Sequence, residues 1–223
     1  MAEWRIGSVL CAVAVVAGVG AGPAQAELPV EYSTFSGIRA ELSNPGGSMP
    51  GSNDWGCKPS VAHPNPVVLV HGGAGAGAQT NWGTYVPLLA NEGYCVFSLT
   101  YGALDLPWPV SALGGMSGTA EQNARTIGSF IERILDATGA QKVDVLGHSL
   151  GTYTNIVTTH DQVVLPYTSG LLPGDGVTNI VLQDGCSQDM SDHLGIVADP
   201  RAAAYVLNAL DPQHPHPVPC PAG

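Results

Sequence analysis

The run Pro66-Val67-Val68-Leu69-Val70, ending on His71-Gly72-Gly73, constrains the fold more than any other segment. A strand that is apolar at every position, without alternation, is buried on both faces, as in a parallel sheet covered by helices. The neighbouring segments agree. Trp82–Glu92 reads as a helix stopped by Gly93, and Tyr94–Leu99 as the next strand, which completes a βαβ unit. A loop over 101–118 precedes an amphipathic helix from about Ser117 to Thr138, with Ala120, Ala124, Ile127, Ile131, Ile134 and Leu135 at helical spacing and Gly139 as its stop. Val143–Leu146, Tyr153–Thr159 and Asn179–Leu182 read as strands, and Asp199–Leu210, with Pro200 in its first turn, as a last helix. The expected class is α/β, a mostly parallel sheet flanked by helices.

The two ends of the chain are less regular. Met1–Ala26 has Arg5, an apolar centre from Ile6 to Val19 and a small-residue close at Ala24-Gln25-Ala26, the layout of a secretory signal peptide. Cleavage after Ala26 would discard Cys11 and leave one domain over 27–223, exported and without a membrane anchor. Glu27–Pro66 is rich in Gly, Pro, Ser and Asn and is expected to be an irregular lead-in. The Pro/His-rich tail, His214–Cys220, is expected to be tied down by Cys220 alone.

Composition excludes some functions. With seven Lys and Arg and a net charge of −11, the chain has no basic footprint for nucleic acid. Cys57, Cys95, Cys186 and Cys220 make an even set in an exported chain, which points to disulfides. Of the three pairings, the sequence-local one, Cys57–Cys95 with Cys186–Cys220, is preferred because each bond would brace one half of the fold. The cysteines and histidines lack the close C-x-x-C spacing of a metal site, and no metal or other cofactor is expected.

The strand Val143–Leu146 runs straight into Gly147-His148-Ser149-Leu150-Gly151. With 29 glycines in 223 residues, G-x-S-x-G alone is a weak motif. A buried strand leading into it raises its meaning, because a nucleophile elbow is a sharp strand-to-turn reversal whose crowding demands glycine on both sides. A nucleophilic serine also needs a base, an acid to orient the base, and N–H donors for the developing oxyanion. His71-Gly72-Gly73 follows the first strand, where one donor N–H is expected beside that of Leu150. His193 lies between the last strand and the last helix, and Asp161 follows a strand. Ser149, Asp161 and His193 thus come in nucleophile, acid, base order. His148 sits inside the elbow, His71 belongs to the glycine loop, and His63, His214 and His216 lie among prolines. Asp184 and Asp189 are rival acids, too near His193 in the chain to suit sheet geometry.

Taken together, Asn53–Cys57, Val67–Gly72, Asn91–Phe97, Val143–Gly151, Asp161–Ser169, Asn179–Cys186, His193-Leu194 and Leu207–Pro212 resemble the class 2 bacterial secreted lipases. The resemblance implies an α/β-hydrolase fold and carboxylic-ester substrates, acylglycerols first among them. It makes Ser149, Asp161 and His193 the triad, Gly73 and Leu150 the oxyanion donors, and the four cysteines the two local disulfides. His71-Gly72-Gly73-Ala74 departs from the bulkier residues usual after His-Gly in the family, which would loosen the acyl pocket.

A larger departure follows the elbow, where the family carries a long helix and another strand. Here Asp161 comes only 12 residues after Ser149. A parallel strand needs a crossover of about a dozen residues. If Tyr153–Thr159 paired with Val143–Leu146 it would therefore do so as an antiparallel hairpin, placing Asp161 about 20–25 Å from Ser149. Otherwise 152–160 would be a bare connector and Asp161 would lack its strand. Either case favours an alternative function, a catalytically impaired hydrolase-like protein that at most binds lipid.

Overall fold

The structure is a computed structural model and describes residues 26–73, 77–108, 111, 117–149 and 154–220. The signal-peptide segment therefore lies almost wholly outside the described residues, as do Leu150 and Tyr153.

Three parallel strands form the first sheet, in the order β2-β1-β3: β1 (Val67–Val70), β2 (Val96–Ser98) and β3 (Asp144–Gly147). Val68 aligns with Phe97 on one side and Val145 on the other. The side chains of β1 alternate between two cores, as an all-apolar strand requires. Val67 and Leu69 meet Trp82, Val86 and Leu89 of the α2 region (helix Tyr85–Asn91) and Ala203, Val206 and Leu207 of α4 (Pro200–Leu210). Val68 and Val70 meet Phe97, Tyr101 and, from α3 (Ala120–Thr138), Ile134. The result is three layers, with α2 and α4 on one face of the sheet and α3 on the other.

The helix ends follow local chemistry. Thr119 and Gln122 form a capping box at the start of α3, and Gly139 closes it with φ +78°. Asp199 caps α4 by accepting from the Ala202 N–H, with Pro200 in the first turn. Gly93, the expected stop after α2, has φ +87°.

Two expectations are corrected. The lead-in is not irregular throughout, for it contains a helix, α1 (Thr34–Ser43), capped by Ser33. Its buried residues are Gly37 and Glu41, while Phe35, Ile38 and Leu42 face outward. A Cβ on Gly37 would lie within 2.3 Å of the Gln79 carbonyl, so the helix backbone sits directly on that turn. The C-terminal tail is likewise held by more than Cys220. The buried Arg201 side chain donates to the carbonyls of Leu182 and Pro219, and Asn208 exchanges two hydrogen bonds with the backbone of His216.

Beyond the elbow, β4 (Thr154–Val157) pairs in parallel with β5 (Thr178–Val181), as a second sheet. It does not hydrogen-bond to β3, so the antiparallel hairpin does not form, and Asp161 does follow a true strand. Four residues separate Ser149 from Thr154, too few for a crossover helix. Val145, on the α3 side of β3, is accordingly left 41% exposed. The two sheets instead share one apolar layer, in which Leu146 of β3 and Ile156 of β4 pack against the same cluster beneath α4.

Both sequence-local disulfides form, Cys57–Cys95 and Cys186–Cys220. The first closes a 38-residue separation and joins the lead-in to the start of β2. Replacing Cys57 and Cys95 together by Ser is expected to lower stability by about 2–4 kcal/mol, through the entropy regained by the unfolded chain. Urea unfolding of the double variant checks this, and an unchanged midpoint would contradict it.

Candidate active site

The elbow lies at the carboxyl end of β3. Ser149 has φ +69°, a left-handed conformation that costs a residue with a Cβ on the order of 1–3 kcal/mol and persists only where the surroundings impose it. The surroundings are visible in Gly72. A Cβ there would fall 2.8 Å from the Ser149 Cβ and 2.9 Å from the His148 carbonyl, so the loop after β1 presses its backbone against the elbow. Only glycine permits that approach.

The loop itself is held by His71, which is fully buried. Its Nδ1–H donates to the Gly72 carbonyl at 2.8 Å, and its Nε2 accepts the Tyr101 N–H at 3.1 Å. Tyr101 stacks on the ring at 4.2 Å and donates its hydroxyl to the His71 carbonyl. Burial lowers the His71 pKa, more than its bond to Gly72 raises it, so the ring is neutral. His71 thus serves the Gly72-Gly73 backbone and not proton transfer.

On the other side, the Asp161 carboxylate reaches the His193 ring, with Oδ2 2.8 Å from Nδ1. The two side chains are only 12% and 10% exposed. Oδ1 of Asp161 accepts the N–H groups of Val163 and Val164 at 2.8 and 2.7 Å. Burial alone would raise the Asp161 pKa, but the bonds from His193, Val164 and Val163 outweigh it, and the carboxyl is held below the usual carboxylate range. An ionised Asp161 that accepts from Nδ1 fixes the tautomer of neutral His193, leaving Nε2 as the basic nitrogen.

The elements bearing Asp161 and His193 are stitched together nearby. His160 and Asp192 form a parallel bridge, Thr158 donates to the Ser191 carbonyl at 2.6 Å, and Gln162 donates to Asp192 while accepting the His193 N–H. A further connection runs to the elbow. His148, one residue before Ser149, places Nε2 3.0 Å from the His193 carbonyl, with the two rings 5.2 Å apart. Asn81 lies 2.9 Å from the His148 Nδ1. The elbow, His193 and Asp161 therefore belong to one contact network, contrary to the separation expected from the short connection.

Of the site residues expected from sequence, Asp161 and His193 are in contact, and Ser149 adjoins the residue that touches His193. Gly73 directly follows Gly72 in the loop against the elbow. Leu150 lies outside the described residues. Asn81, Thr158, Gln162 and the role of His148 were not legible. Side-chain amides and hydroxyls in loops carry no periodic pattern, and only the position of His148 within the elbow marked it at all.

The depressed carboxyl of Asp161 makes its contribution to stability pH-dependent. The contribution is fully present above the unfolded value of about 4 and is lost as pH falls through the lower folded value. Asp161→Asn is expected to cost about 1.5–3 kcal/mol near neutral pH, as for other hydrogen bonds to charged groups. The difference from wild type should shrink steadily below pH ~4. Urea unfolding at several pH values measures it, and a pH-independent difference would contradict the assignment.

Comparison with known families agrees with this geometry. Residues 64–166 match the family described as Lipase (class 2). The matched segment includes the His71–Gly73 loop, the elbow and Asp161; His193 lies beyond it, and its place rests on the contacts above. The parallel first sheet, the left-handed serine and the glycine loop against it all lie within the segment that is similar to the class 2 lipases.

Proposed function

We propose that this protein is a secreted serine hydrolase of carboxylic esters, with acylglycerols as the favoured substrates. The observation that carries the reading is the Asp161–His193 contact of 2.8 Å, reached from the elbow through the His148–His193 bond. Ser149 Oγ attacks the ester carbonyl while His193 Nε2 takes its proton. Asp161 orients the ring and stabilises the imidazolium that forms. The backbone N–H groups of Gly73 and Leu150 hold the oxyanion of the tetrahedral intermediate. His193 then returns the proton to the departing alcohol, leaving an acyl-Ser149 ester, and water repeats the sequence to release the acid. No cofactor enters this scheme.

The left-handed Ser149 supports the nucleophile assignment, since such strain at an exposed serine serves presentation of the side chain. Glycine at 72 and 73 leaves the approach to the Ser149 carbonyl-binding side narrow in backbone and free of side chains. The two disulfides and the Met1–Ala26 pattern support export. Among the described residues no helix is long and apolar enough to cross a membrane.

Purified mature protein is expected to hydrolyse a chromogenic short-chain ester, with Ser149→Ala lowering kcat/KM by about 10⁴-fold or more. Equal rates for the two proteins would contradict the proposal and leave the impaired, lipid-binding reading in its place.

A further inference from the structure

We infer that His148 is a positioning residue for the base, a neutral strut that sets the distance between the elbow and His193. This rests on the function proposed above and goes beyond the triad. The two sheets share no backbone hydrogen bond among the described residues, with Ser149 carried on one and Asp161 on the other. The Asp161–His193 pair fixes the base relative to the acid but says nothing about the nucleophile. The His148 ring supplies the missing link, because it belongs to the elbow by covalent chain and to the base by its Nε2–His193 carbonyl bond at 3.0 Å.

The chemistry assigns the tautomer. A carbonyl is only an acceptor, so Nε2 carries the hydrogen. Nδ1 is then an acceptor, and the Asn81 amide, 2.9 Å away, donates to it. Both ring nitrogens are satisfied, and the residue is 9% exposed. Burial lowers the His148 pKa, which the bond to His193 only partly offsets, so the ring stays uncharged, 5.2 Å from the His193 ring. Asn81 makes the strut stiff, for without it the imidazole has one anchor and can turn about χ2. The bond is made to the backbone of His193, so its loss lets the whole residue, imidazole included, shift against Asp161.

The test compares His148→Leu, which loses the donor, with His148→Gln, whose amide N–H can replace Nε2–H. Two readouts are used on the full mature protein. The first is the downfield proton resonance of His193 Nδ1–H, assigned by its loss in Asp161→Asn; it requires no turnover. The second is the split between kcat and KM for a short-chain ester. His148→Leu is expected to broaden or lose the resonance and to lower kcat by about 10–100-fold with KM nearly unchanged, as for a misplaced catalytic group. His148→Gln is expected to recover the resonance and most of kcat. If His148→Leu does not fold, Asn81→Ala, which removes only the far anchor, is expected to broaden the same resonance. A wild-type resonance and kcat in His148→Leu, or in Asn81→Ala in its place, overturns the inference. So does a His148→Gln protein as impaired as His148→Leu, or the absence of the resonance from the wild type. If wild type and Ser149→Ala hydrolyse the ester equally, the proposed function fails, while the resonance still decides the strut.

Discussion

Among the described residues, two short parallel sheets serve this site without a backbone hydrogen bond between them, so side chains must set their alignment. The apolar layer under α4 supplies the larger energy. A fully buried side chain such as Leu89 contributes about 1.5–3 kcal/mol, and that cluster contains eleven buried residues. Hydrophobic contact is not directional, however, and tolerates small slides of one sheet against the other. The directional part falls to a few polar bonds, each of about 0.5–1.5 kcal/mol. They add little to stability, but they set where His193 sits relative to the elbow.

The short connection after the elbow removes the usual way of keeping β3 and β4 adjacent. The protein responds by separating the strands and closing the gap from its two ends. Below, Leu146 and Ile156 share one core; above, the His148 ring spans to the His193 loop, which is itself bound to Asp161 and Gln162. Val145, on the α3 side of β3, stays partly exposed. The left-handed conformation of Ser149 is held by the Gly72 backbone pressed against it.

What could be read from the chain divides along physical lines. β1, β2 and β3 were legible as short, largely apolar runs and α3 because its apolar residues recur at helical spacing. The elbow, the Gly72-Gly73 loop and the chain order of Asp161 and His193 were legible because that chemistry demands fixed residue types. α1 was not, since it inverts the usual pattern, burying Gly37 and Glu41 and turning Phe35, Ile38 and Leu42 outward. Its position is set by Gln79, which donates to Glu41 from 38 residues away, a contact with no local trace. The parallel pairing of β4 with β5 was missed for a related reason. A strand's sequence shows that it will pair but not with which partner, and nearness to β3 in the chain suggested the wrong one.

Labelling with an alkyl fluorophosphonate followed by peptide mass analysis tests most directly whether Ser149, His193 and Asp161 act as one unit. An assembled site predicts a single covalent adduct, on Ser149, that is lost when His193 is replaced by Ala. No adduct on Ser149, or labelling that persists without His193, would contradict it.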